Sequence, residues 1–152
     1  MKAPAGIEGA DIKARVDGAV DSGMCMAVWA KLQPDKIAVL EASGASRTFG
    51  ELNANANRLV RMMREHGLKA GDAVAIVCSN RVEFPEVLFA TLRGGFRLTP
   101  VNWHMKPDEI AYVVDNCEAK ALFADTRIAG IDQGAASCPQ LVLTTAIGGD
   151  LP

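Results

Sequence analysis

Ala73-Val74-Ala75-Ile76-Val77-Cys78 is apolar almost throughout. A strand with one wet face would alternate apolar and polar residues. A continuous run of this length instead predicts a parallel strand covered on both faces. The run is preceded by the turn Leu68-Lys69-Ala70-Gly71-Asp72 and, before that, by a helix with Leu52, Ala56, Leu59, Val60 and Met63 on one side. That helix opens on Thr48-Phe49-Gly50-Glu51, a T-x-x-E capping box in which each end side chain satisfies the other's orphan amide, and it stops at Gly67. After the apolar run, Asn80-Arg81-Val82-Glu83 reads as a second N-cap, opening a helix that carries Pro85 in its first turns and closes on Gly94-Gly95.

Further outward the alternation continues. Phe96 to Val101 predicts a strand, and Pro107-Asp108-Glu109 starts a helix buried through Ile110, Val113, Val114 and Cys117. Ala121–Ala124 predicts a strand, 126–132 a short helix, and Gln140–Leu143 a last strand. On the amino-terminal side, Ile37–Leu40 and Arg47-Thr48 read as the halves of a small hairpin. Residues 7–32 read as one amphipathic helical segment, with Ile12, Val16, Val20, Met24 and Val28 spaced four apart. The expectation is an α/β fold, a mostly parallel sheet flanked by helices, with the lead-in over 7–32 and the α/β unit over 34–143. Strand order is open.

Composition narrows the function classes. The 152 residues are 49% hydrophobic and 22% charged, the balance of an ordinary globular protein. With 16 Lys and Arg against 18 Asp and Glu, no basic face for nucleic acid is expected. The longest apolar stretch, Met24–Ala30, is too short to cross a bilayer, and no secretory signal opens the chain. Cys25, Cys78, Cys117 and Cys138 form no C-x-x-C pair, so they read as reduced structural thiols of a cytoplasmic protein, and no metal site is expected.

No G-x-x-x-x-G-K-[ST] loop and no G-x-G-x-x-G after a strand is present. Gly94-Gly95 follows a helix and enters a strand, the reverse of the order that aims amides at a pyrophosphate. His66 sits at a helix C-terminus as a capping residue, and no serine lies in a nucleophile elbow. Asp72, Asp108, Glu109 and Asp115 fall in turns or helix ends. Residue chemistry alone therefore gives no catalytic set.

The order of motifs from Thr48 to Leu122 resembles the adenylate-forming enzymes. Thr48-Phe49-Gly50-Glu51-Leu52 with Asn55-Ala56-Asn57-Arg58-Leu59 resembles their "T-[YF]-x-E-L … A-N-R-L-A" helix. Gly67–Ile76 is similar to "G-L-x-x-G-D-x-V-A-I". Asn80 with Glu83-Phe84 matches "N-x-x-E-[FY]", and Gly94 with Pro100-Val101-Asn102 matches "G-A-x-x-x-P-[VIL]-N". Glu109–Val113 with Ala119–Leu122 resembles "E-[IL]-x-Y-[IV]-L-x-x-S-x-A-K". Asn102, where peptide-synthetase domains usually carry Asp, places the resemblance in the acyl-CoA synthetase branch, the fatty-acyl and aryl CoA ligases.

That resemblance implies a ligase that joins a carboxylic acid to CoA with ATP and Mg, through an acyl-adenylate. It also implies that this chain is an N-terminal subdomain over 1–152, whose partner is the remainder of the ligase chain. The family's phosphate loop, adenine and magnesium motifs and catalytic lysine find no match here, so the chain alone is expected to be inactive and to hold no cofactor tightly. His104 stands where aryl-CoA ligases carry an Arg that approaches CoA phosphates, and is the one implied cofactor-binding residue. Apolar strands at Ala73–Cys78 and Leu98–Val101, left uncovered, would favour a homodimer. The alternative is a stand-alone non-catalytic α/β module. Its receiver-like form would need an acidic pair after the first sheet strand and a lone Asp after the third.

Overall fold

The apolar run becomes the centre of a four-stranded parallel sheet. The structure, a computed structural model, describes residues 9–148. Its elements are α1 (Gly9–Val20), α2 (Cys25–Leu32), β1 (Ile37–Leu40), β2 (Ser46–Thr48), α3 (Phe49–Glu65), β3 (Ala73–Val77), α4 (Glu83–Gly94), β4 (Arg97–Val101), α5 (Pro107–Asn116), β5 (Ala119–Asp125), α6 (Ile131–Ala136) and β6 (Leu143–Ile147). The sheet order is β4-β3-β5-β6, and β1 pairs with β2 in a separate antiparallel hairpin. In register, Val74 lies beside Leu98 and Ala121, and Val77 beside Val101 and Ala124.

Alternation along β3 serves two cores, as the period of two requires. Val74 and Ile76 pack with Ala56, Val60 and Met63 of α3 and Val87 and Ala90 of α4. Ala75 and Val77 face the other way, onto Ile110 and Val114 of α5 and Ile131 of α6. Every residue of β3 is buried. The expectation that β3 would need a second chain to cover it is therefore corrected, because helices already cover both of its faces. Among the described residues the parallel sheet has its edges at β4 and β6. Pro100, which lacks an N–H for a second ladder, fits β4 at an edge.

Local signals held where they were short-range. Thr48 Oγ1 accepts from the Glu51 N–H at 3.2 Å and Glu51 Oε2 accepts from the Thr48 N–H at 2.8 Å, completing the capping box. Gly95 is the C-cap of α4, and Pro107 occupies the first turn of α5.

Four expectations shift. The described part of the lead-in is two helices rather than one. Gly23, at φ 67°, turns the chain between them and sits against the Leu92 carbonyl, where a side chain would collide. Asn80 does not cap α4. The Val82 N–H donates instead to Glu41 Oε1, at 2.6 Å, from the hairpin. The short helix lies at Ile131–Ala136, after a turn in which the Ile128 N–H donates to Asp125 O. The last strand runs Leu143–Ile147: Leu141 still turns back onto Cys138 O, and the β-branched Thr144 and Thr145 carry the pairing with β5.

Candidate functional site

Sheet topology places a crevice. From β3 the chain crosses through α4 to β4 on one side, then through α5 back past β3 to β5 on the other. The direction reverses between β3 and β5, and in open α/β sheets ligands gather outside the carboxyl ends of strands at that point. A cleft of about 460 Å³ lies there, lined by Ser79, Trp103, Met105, Asp125, Arg127, Ile128 and Ala129. Ser79 follows β3, Trp103 and Met105 belong to the loop after β4, and Asp125 ends β5.

Asp125 is 1% exposed. A buried carboxylate is costly unless its lone pairs are filled, and here they are. Oδ1 accepts from Arg127 Nε at 3.0 Å and from the Arg127 backbone N–H at 3.1 Å. Oδ2 accepts from Arg127 Nη2 at 2.8 Å and from Ser79 Oγ at 2.9 Å. Arg127 Nη2 also donates to Ser79 Oγ at 2.7 Å, closing a three-residue ring, and Arg81 Nη1 stands 3.7 Å from Oδ1. Burial pushes the Asp125 carboxyl up. The Arg127 side chain and backbone and the Ser79 hydroxyl outweigh it and hold the group well below the usual carboxylate range. Arg81 is shared with Glu83, to which Nε donates at 2.9 Å and Nη2 at 3.2 Å.

His104 lies in the exposed loop beside this cleft. Its backbone N–H donates to Asn102 Oδ1 at 3.0 Å, and its ring lies tilted by 32° against Trp103 with centroids 3.6 Å apart. The other polar residues singled out in the sequence go elsewhere. His66 caps α3, with Nδ1 2.8 Å from Met62 O. Asp72 precedes β3 at the amino end of the sheet, pairing with Lys120 at 2.8 Å and accepting from the Lys69 N–H at 2.7 Å. Glu109 accepts from the Lys106 N–H at 2.8 Å in the first turn of α5.

Asp125 is the residue that sequence reasoning missed. Its signal was a single carboxylate closing the apolar strand Ala121-Leu122-Phe123-Ala124, with Arg two positions on. It is a lone Asp after the third strand of the sheet. The receiver-like alternative still lacks an acid after the first, since β3 runs out into Cys78-Ser79-Asn80.

All four cysteines are free thiols, and among the described residues no cluster of three or more His, Cys, Asp or Glu is placed to hold a metal. Burial pushes the Cys78 thiol up to about 12, which keeps it inert.

The fold is an α/β domain, a four-stranded parallel sheet flanked by helices with a cleft at the sheet's carboxyl end. Residues 26–150 match the family of AMP-binding enzymes, and the chain belongs to that family. It is 34% identical over 97 residues to the medium-chain fatty-acid–CoA ligase of Escherichia coli, covering 64% of this chain and 17% of the relative. It is 32% identical over 96 residues to the 3-oxocholest-4-en-26-oate–CoA ligase of Rhodococcus rhodochrous, covering 63% of this chain and again 17% of the relative. The chain thus spans about a sixth of the length of these relatives. In fold it is similar to a fatty acyl CoA synthetase of Mycobacterium tuberculosis, with a TM-score of 0.75 at 20% identity over 86% of this chain and 27% of that one. An anthranilate CoA ligase superposes with a TM-score of 0.77 at 20% identity, over 87% of this chain and 26% of that chain.

Proposed function

We propose that this chain is the amino-terminal part of an ATP-dependent acid–thiol ligase that makes acyl-CoA, and that its cleft receives the nucleotide end of CoA. In the first step a carboxylate oxygen bonds to the α-phosphorus of ATP and the bond to pyrophosphate breaks. In the second, the CoA sulfur bonds to the acyl carbon, the acyl–phosphate bond breaks, AMP leaves, and the thiol proton passes to solvent. Neither step is assigned to a residue of this chain. Its contribution is positional: Trp103 and Arg127 line the cleft with an aromatic surface and an exposed guanidinium, and His104 sets an imidazole against Trp103 in the adjoining loop.

The single observation that carries the reading is this grouping at the switch-point cleft, in a chain whose relatives include named CoA ligases. The resemblance to adenylate-forming enzymes assigns ATP and magnesium to the remainder of the ligase, where that family carries its phosphate loop and magnesium motif. The same logic predicts that the chain alone is inactive: pyrophosphate release from ATP and palmitate or benzoate stays at the level of buffer. The carboxylic acid is supplied to other parts of the enzyme. No helix of the described residues is long and apolar enough to cross a membrane.

His104 supplies the test. Imidazole is a weaker phosphate partner than guanidinium. In the intact ligase, His104→Ala raises the KM for CoA several-fold, about one phosphate hydrogen bond of 1–2 kcal/mol, while the adenylation half-reaction keeps its rate. His104→Arg lowers that KM. An unchanged CoA dependence, or a slowed adenylation step, overturns the role.

A further inference from the structure

Three strand ends meet at Asp125. Ser79 leaves β3, Asp125 closes β5, and Gly148 follows β6. The β6 end is tied in through Thr126, whose N–H and Oγ1 donate to Ile147 O at 3.2 and 3.3 Å. Gly148, at φ 85°, adjoins the Arg81 guanidinium, and a Cβ there would come within 2.6 Å of Nη1. No side chain fits without displacing Arg81. Arg127 fills the buried carboxylate through three hydrogen bonds, and Arg81 stands beside it at ion-pair distance, 3.7 Å from Oδ1.

The geometry fixes which part of Arg127 remains available. Its Nε and Nη2 are spent on Asp125 and Ser79. Nη1 has no partner among the described residues, and the side chain is 60% exposed along the cleft. A surface arginine without such a brace samples many rotamers and loses that freedom when it binds an anion. Here the rotamer is set beforehand by a two-point contact on the far edge of the fork. With the ion pair internally balanced, what the cleft offers an anion is oriented N–H donors rather than net charge.

We propose that Asp125 is a positioning residue for CoA in the ligase reaction proposed above: by holding Arg127 it presents the Nη1 edge of that arginine to a phosphate of the thiol substrate. Asp125 touches no substrate itself and acts through Arg127. The inference rests on the acyl-CoA ligase reading, and its test separates the two.

The full-length protein is assayed with CoA and with pantetheine, a thiol that lacks the phosphates. Asp125→Asn, which keeps the shape and weakens the hold on Arg127, raises the KM for CoA about tenfold and leaves the pantetheine constants those of the parent. Ser79→Ala, a milder change that leaves the Asp125–Arg127 pair in place, raises the CoA constant less. In an Arg127→Ala background, Asp125→Asn adds no further loss with CoA, because the residue it acts through is gone. Asp125→Glu, one methylene longer, recovers part of the CoA affinity. A purely structural role would instead lower kcat and raise both thiol constants together, and Asp125→Asn and Arg127→Ala would add. That outcome, or a CoA constant unchanged in Asp125→Asn, overturns the positioning role. A parent protein whose turnover does not depend on CoA overturns the ligase reading, and this inference with it.

Discussion

Asp125 also links this site to stability. Its folded-state carboxyl lies below the ordinary value of about 3.9. Near and below that value the unfolded chain binds more protons than the native one, so acid favours unfolding. The stabilisation is fully present above the unfolded value and drains away as pH falls through the folded one. Asp125→Asn lacks this titration. The stability gap between the parent chain and the variant, read from urea denaturation, is therefore constant from pH 7 to 5 and narrows from about pH 4 downward. A gap independent of pH down to 3 would mean that the carboxylate charge is not what the ring stabilises. The sequence could not reveal Asp125 as the hub because its partners are not local. Arg127 is two residues away, but Ser79 is 46 positions upstream and meets it only through the β3–β5 pairing.

At the scale of elements, the helices and the apolar strands were legible, and the reasons differ. The start of α3 is written in four consecutive residues, Thr48 to Glu51, because both hydrogen bonds of a capping box close within one turn. The start of α4 was misread because its cap comes from Glu41, 41 residues earlier, and no local pattern announces that. The four-residue spacing of Ile12, Val16, Val20, Met24 and Val28 ran smoothly through Gly23, so the break between α1 and α2 was hidden. Val20 at 56% and Met24 at 36% exposed show that the apparent stripe was not one face. Strand order depends on which crossover passes which face, and only Pro100 hinted at it by marking an edge. The capping box gives a direct check. Thr48→Ala removes the acceptor for the Glu51 N–H and costs about 1 kcal/mol, seen as a lower denaturation midpoint with the slope unchanged. Thr48→Ser, which keeps an oxygen there, restores most of it. Equal losses in both variants would assign the effect to packing of the Thr methyl.

For the molecule as a whole, the question is what its open edges do. Half of the original ground for expecting association, an uncovered β3, is gone, since that strand is buried between two helical layers, while Leu98–Val101 is the half-buried edge strand β4. A different ground remains. The parallel sheet ends at β4 on one side and β6 on the other among the described residues, and the relatives continue for several times this length. Edges differ in how well they are guarded. β4 carries Pro100 and begins on Arg97, both of which discourage another strand. β6 is Leu143-Thr144-Thr145-Ala146-Ile147, β-branched, uncharged and free of proline, which is the composition that recruits a partner strand. The exposed Val142 at 52% extends that apolar edge by one residue. The chain alone is therefore expected to form dimers or larger species through β6. Sedimentation across a dilution series should show the average mass falling as the protein is diluted. Thr144→Lys, which puts a charge on an already exposed side chain, should shift the series to monomer at every concentration without lowering stability. A parent chain that sediments as a monomer throughout would mean that the β6 edge is already protected. Association that persists in Thr144→Lys would move the contact elsewhere, first to the β1–β2 hairpin, where Ile37 and Leu40 are exposed.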